Sequence, residues 1–262
     1  MFQQLATLVR YRPLVHSLVG RELKARYRGS VLGFFWSFIN PLLLLLIYGF
    51  VFSYVFPRND PRIQPVFLFL FCGILPWTWF QSSIAEGAGV LIASGNLIKK
   101  VLFPAEVLPV VTVLANLVHF AFGLPILLIA LAWKGLLTPA ALLLPLPILV
   151  QLLFTVGLAL IVSALTVHFR DLQDILGHVL HVLFWASPIL YFYGDIPLGS
   201  ALRTALRFNP LSHIFVSYQE MLFFGRFEHW TGLGLAALVS VVVFAMGAFL
   251  FERLRDTLAE EV

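Results

Sequence analysis

The chain has 262 residues, 60% of them hydrophobic and 11% charged, with a mean hydropathy of +0.95 and a formal net charge of +4. A soluble domain carries about a quarter charged residues, so composition excludes a water-soluble enzyme and points into a bilayer. Cys72 is the only cysteine, which excludes intrachain disulfides and thiolate zinc sites and leaves it as a small core filler.

The first element expected is an amphipathic helix over residues 13–28. Pro13 suits a helix's first turn. Leu14, Val15, Leu18, Val19 and Leu23 share one broad face, while Arg21, Lys24 and Arg28 share another. That is the pattern of a helix lying on a membrane surface. Arg10 and Arg12 lead into this broken stretch rather than into an apolar run with a cleavage site, so no secretory signal is expected.

Six apolar stretches follow: Gly33–Phe56, Val66–Ala85, Val107–Trp133, Ala140–Val167, Ile175–Tyr193 and Thr231–Phe251. A bilayer core of about 30 Å needs about 20 apolar residues in helix, because lipid cannot pair backbone N–H and C=O groups. The expected fold is an all-α integral membrane domain over 1–262. It comprises an interface helix within 1–30, six spans within 33–251 and a tail at 252–262.

The first span is rich in rings and holds Asn40-Pro41, where a helix bends. Pro76 is expected to break the second apolar segment. Residues Ala85 to Glu106 then read as a loop, with Asn96 capping a short helix over Leu97–Val101 that Pro104 ends. Asn116 and His119, one turn apart in the third span, point to hydrogen bonding between helices. His178 and His181 are a second pair at helical spacing. After the fifth span, Leu198–Phe208 and Pro210–Phe224 read as amphipathic helices at the far interface, divided by Asn209-Pro210.

Basic residues divide unequally between the two faces. Arg10, Arg12, Arg21, Lys24, Arg26, Arg28, Lys99, Lys100, Arg170, Arg253 and Arg255 fall on one; Arg58, Arg62, Lys134, Arg203, Arg207 and Arg226 fall on the other. Because Lys and Arg are retained in the cytoplasm, both termini are expected there.

No phosphate-binding P-loop, His-Glu-x-x-His helix or Gly-x-Ser-x-Gly elbow is present. No carboxylate pair sits within an apolar stretch for acid–base work. These absences argue against catalysis without excluding it, and no cofactor or metal of the chain's own is expected.

An ordered motif series narrows the class. It runs from Arg21-Glu22-Leu23-Lys24-Ala25-Arg26-Tyr27-Arg28-Gly29-Ser30 through Leu32-Gly33, Trp36-Ser37, Asn40-Pro41 and Gly73-Ile74-Leu75-Pro76-Trp77. Asn96-Leu97-Ile98-Lys99-Lys100, Phe103-Pro104, Phe169-Arg170-Asp171-Leu172, Phe184-Trp185-Ala186-Ser187-Pro188 and Asn209-Pro210-Leu211 complete it. The chain resembles the membrane subunits of ABC-2 type polysaccharide exporters, in particular Wzm-type O-antigen permeases and their capsule and teichoic-acid relatives. The likeness covers nearly the whole length.

That resemblance implies a homodimer in the bacterial inner membrane bound to two copies of a separate ATPase, which holds the ATP and Mg. It implies a glycan on undecaprenyl diphosphate as cargo. It assigns an interface helix to Pro13–Arg28, a coupling helix to roughly Glu86–Val101 and gate helices to Leu198–Phe224. The channel residues expected are Phe38, Tyr48, Phe52, Trp185 and Tyr191, whose ring faces pack on sugar C–H faces. The lipid diphosphate falls to Arg21, Lys24, Arg26 and Arg28. ATPase coupling falls to Glu86, Asn96, Lys99 and Lys100. The competing readings are an ABC-2 exporter of drugs or small lipids and an integral-membrane glycosyl- or acyltransferase.

Overall fold

The computed structural model describes residues 11–26, 28–55, 60–95, 104–197 and 199–261. Among these the regular structure is helical: α1 (Arg12–Arg26), α2 (Trp36–Phe50), α3 (Val66–Ala93), α4 (Val107–Trp133), α5 (Pro145–His168), α6 (Leu172–Trp185), α7 (Ala201–Phe208), α8 (Pro210–Gln219) and α9 (Trp230–Glu261). A 3₁₀ turn, Gly33–Phe35, leads into α2, and π turns extend α2 over Val51–Val55 and α8 over Glu220–Phe224. A second 3₁₀ turn, Pro139–Leu143, leads into α5; Thr138 caps it by accepting from the N–H of Ala140.

Among the described residues four segments are long and apolar enough to cross a membrane: Val66–Ala93, Val107–Trp133, Pro139–His168 and Trp230–Leu254. The third expected span agrees with α4 in both bounds. The first and fifth are shorter than expected. At about 1.5 Å per residue, α2 and α6, with 15 and 14 residues, reach only about 22 and 21 Å as regular helix. α6 stops at Trp185 because Pro188 lacks an N–H and forces the residue before it out of the helical region.

α3 is the central pillar. It packs on α4, α5, α8, α2 and α6, and Phe69, Phe71, Trp79 and Phe80 are fully buried along it. A helix enclosed on all sides is apolar all round. Pro76 does not break it. The helix passes through Pro76, and the Pro76 carbonyl accepts from the Gln151 side chain at 2.8 Å. That bond ties α3 to α5 where Pro76 removes a donor from the helix ladder.

The same device holds the irregular stretch after α6. Gln219 of α8 donates to the carbonyls of Pro188 at 2.9 Å and Ile189 at 3.4 Å. Gly73 lets this backbone come close: a Cβ there would sit 3.2 Å from the Ile189 oxygen. α8 was expected at an interface. Instead Leu211, Ile214, Phe215 and Tyr218 are buried in the main core, between α9, α3 and α5.

α5 and α9 make the most extensive helix pair. Their backbones touch through glycine. A Cβ on Gly157 would lie 2.6 Å from the Phe244 nitrogen, and one on Gly247 would meet the Gly157 carbonyl oxygen. Small residues at a crossing permit this approach.

Candidate functional site

The apolar face of α1 does not simply await lipid. Leu18 is buried against Val107 and Val111 of α4, with Leu14, Val15 and Val19 around them. Arg21, Lys24 and Arg28 remain exposed. Arg26 differs: its guanidinium pairs with the Glu86 carboxylate of α3 and donates to Asn116 Oδ1 of α4 at 3.0 Å. Asn116 closes the ring by donating to Glu86 Oε2 at 2.8 Å and to the Thr112 carbonyl at 3.1 Å. α1, α3 and α4 therefore meet at one charge-assisted knot.

Glu86 was read as part of a loop. It belongs instead to α3, which continues to Ala93 with no helix-breaking residue after Pro76. Asn96, Lys99 and Lys100 lie outside the described residues. Asn116 and His119 do bond between helices; His119 Nδ1 is 3.1 Å from Ser37 Oγ of α2.

Above this knot lies a cavity of about 450 Å³ between α1, α2, α3 and α4. Its polar lining includes Arg26, Ser30, Ser37, Asn40, Thr78 and Ser82; its aromatic lining is Trp36, Phe71, Trp79 and Phe120. Both indole N–H groups are already used. Trp36 donates to Ser30 Oγ at 3.1 Å, and Trp79 to the Val113 carbonyl at 3.2 Å.

A second groove of about 250 Å³ runs between α2, α3 and α6. It brings two expected channel residues together, Tyr48 and Trp185, and adds Trp77, Phe184, Gln81 and His181. Phe52 stacks on Tyr48 with centroids 6.2 Å apart and 17° between planes. Tyr191 donates to the Trp185 carbonyl at 3.4 Å. Phe38 stands apart from this groove, 4.8 Å from the Phe122 ring of α4. Neither Trp77, seen only as part of the Gly73–Trp77 motif, nor Gln81 is among the expected channel residues, although one turn separates them and Trp77 Nε1 donates to Gln81 Oε1 at 2.7 Å. An amide and an indole on one face of an apolar helix were the available signal.

The pair His178 and His181 on α6 is exposed and not joined, whereas His213 and His229 are joined. His213 Nε2 donates to the Arg207 carbonyl at 2.9 Å, so its Nδ1 accepts from His229 Nε2 at 2.8 Å. Burial, then the neighbouring His213, push the His229 pKa down to about 4, so the His229 ring is neutral near pH 7. Gly232 makes room: a Cβ there would meet His229 Nε2. Nearby, Arg62 pairs with Asp60 at 2.8 Å and Asp195 at 2.7 Å, which fastens the α2–α3 connection to the segment after α6. No grouping of three or more metal-ligating side chains occurs among the described residues.

Sequence comparisons place these features in a family. The profile described as ABC-2 type transporter matches residues 13–223. The O-antigen export system permease protein RfbA of Myxococcus xanthus is 40% identical over 263 residues, covering all of both chains. A Klebsiella pneumoniae protein of the same name is 31% identical, over 93% of this chain and 92% of its own. The Escherichia coli polysialic acid transport protein KpsM is 27% identical, over 90% and 92%. With its long apolar helices and full-length match, the chain belongs to the ABC-2 type transporter family.

Proposed function

We propose that this chain is the membrane permease subunit of an ABC exporter that moves a lipid-linked polysaccharide of O-antigen type across the cytoplasmic membrane. The observation that carries the reading is the full-length 40% identity to an O-antigen export permease. The aromatic groove supplies its physics. Rings at Tyr48, Phe52, Trp77, Phe184 and Trp185 offer broad, weakly specific contacts to sugar faces. A moving polymer must be held well enough to enter and loosely enough to advance, as ions are in a pore.

In this proposal two copies of the chain face each other through α2 and α6, and Phe38 and Tyr191 extend the track. Those two helices expose Leu46, Ile47, Phe50, Val179 and Val182, an apolar surface to be covered. Each is completed to a span by its irregular extension, which gives six spans with both termini cytoplasmic. Arg21, Lys24 and Arg28, with Arg26 beside them, attract the lipid diphosphate, each exposed cation contributing about 1 kcal/mol near an anionic surface. Two copies of a separate ATPase bind ATP and Mg and dock near Asn96, Lys99 and Lys100, beyond the end of α3 that Glu86 anchors.

Two experiments test this. Deleting the gene is expected to trap polymer on its lipid carrier inside the cell, measured by fractionating cytoplasmic and surface polysaccharide. Normal surface glycan with drug sensitivity would favour small-molecule efflux instead. Replacing both Lys99 and Lys100 with Glu is expected to lower recovery of the ATPase in an affinity purification at least fivefold. Intact recovery with unchanged ATP turnover would remove the coupling assignment.

A further inference from the structure

We infer that the 450 Å³ cavity between α1, α2, α3 and α4 is a binding site for one neutral glycosyl unit, the sugar next to the lipid diphosphate. It adjoins the aromatic groove between α2 and α6, sharing Leu44 and Thr78 with it, while Asn40 and Trp36 line this cavity and not the groove; the inference rests on the polysaccharide-export reading.

The cavity's chemistry selects the ligand. Its volume falls in the range of small-molecule sites, roughly 300–1,000 Å³. Its one cation, Arg26, is already matched by Glu86 and braced by Asn116. The site is therefore electrically neutral, so a phosphate gains little there. A hydrocarbon tail is also a poor fit, because Ser37, Asn40, Thr78 and Ser82 line one part of the wall. Ser37 and Thr78 have their own bonds, to His119 and the Leu75 carbonyl, but a tail would leave the Asn40 amide facing hydrocarbon.

A sugar ring meets both halves. Its hydroxyls exchange hydrogen bonds with the amide and hydroxyl side chains. Its C–H faces pack on the Trp36 ring, while Trp79, 2% exposed, contributes only buried wall. These rings are held in place by the bonds their N–H groups make to Ser30 and Val113, so their orientation is set before any ligand arrives. Trp79 is further fixed against Phe120, 5.3 Å away.

Position then names which sugar. Arg26 and Ser30 line the cavity, and the exposed Arg21, Lys24 and Arg28 belong to the same stretch of chain. A diphosphate held by those cations leaves its first glycosyl unit at the cavity mouth. Lipid carrier bearing a glycan is thereby distinguished from the bare carrier.

The test uses the full chain with its ATPase in nanodiscs. The probes are farnesyl diphosphate, and farnesyl diphosphate carrying one glucose, galactose or N-acetylglucosamine, with Kd read by calorimetry. At least one glycosylated probe is expected to bind tenfold or more tighter than the bare diphosphate. Asn40→Leu and Thr78→Val are each expected to reduce that advantage to below threefold, and Trp36→Phe to retain most of it. Arg21→Gln and Arg28→Gln are expected to weaken all probes alike. Equal binding of all four probes, or an advantage that survives both Asn40→Leu and Thr78→Val, overturns the glycosyl site while leaving export intact. Absence of binding by every probe, with normal surface glycan in the deletion strain, overturns the export reading as well.

Discussion

Reversing the charge of Arg26 or of Glu86 alone is expected to reduce surface glycan at least fivefold, and reversing both together to recover at least half of it. Each single reversal places like charges in contact where α1 meets α3. Unit charges 4 Å apart interact by about 4 kcal/mol at an effective dielectric of 20. The Glu86 side chain is 41% exposed, and water screens this to roughly 1–2 kcal/mol. That is a factor of about 5–30 in the docked population of α1. Asn116 does not prevent the rescue, since its amide offers an oxygen and an NH₂ group and can present either to either charge. The measurement is surface polysaccharide in the three variants, beside the midpoint of thermal unfolding of each purified chain. If the double reversal is no better than the singles, the two residues act separately.

Gly157→Val is expected to be the most damaging single substitution in the helical core. The new side chain would occupy space held by the Phe244 backbone, which lies 2.6 Å from where its Cβ must sit. Backbone cannot swing aside as a side-chain tip can, so α5 and α9 must separate. Overpacking costs about 1–3 kcal/mol where a core can adjust, and this crossing should lie at or above that range. Export should fall below detection, with the chain lost from the membrane fraction. Gly234→Ala on α9 is the control. A Cβ there meets nothing within 4 Å, and removing a helical glycine should stabilise by about 0.5–1 kcal/mol. Equal behaviour of the two variants would contradict the crossing described above.

Much of the fold was legible because lipid imposes long apolar helices. α4 follows its apolar run from Val107 to Trp133. Local rules misjudged Pro76, since the amide that supports it, Gln151, is 75 positions away. The expected fifth span ran through Pro188 to Tyr193, whereas α6 stops at Trp185. Glu86 looked like a loop residue because a charge beside two glycines resembles a connector; its partners Arg26 and Asn116 are 60 and 30 positions distant. The same limit hid the His213–His229 pair, 16 positions apart, behind the closer but unjoined His178 and His181.

Of the site, the resemblance implied an aromatic channel, and Tyr48 and Trp185 share a groove. Helical phase near Pro41 was the weak point. Phe38 turns toward Phe122 of α4 rather than toward Tyr48. The polar cavity was not legible at all. Four separate elements build it, and each contributes residues that look unremarkable on their own helix.

The most direct test is translocation itself. The chain and its ATPase are reconstituted in proteoliposomes with a labelled lipid-linked glycan, and movement of the label to the opposite leaflet is followed with and without ATP. The account predicts transfer that requires ATP, the ATPase and this chain together. Transfer that proceeds equally without ATP, or a new covalent glycan product formed by this chain alone, would contradict it.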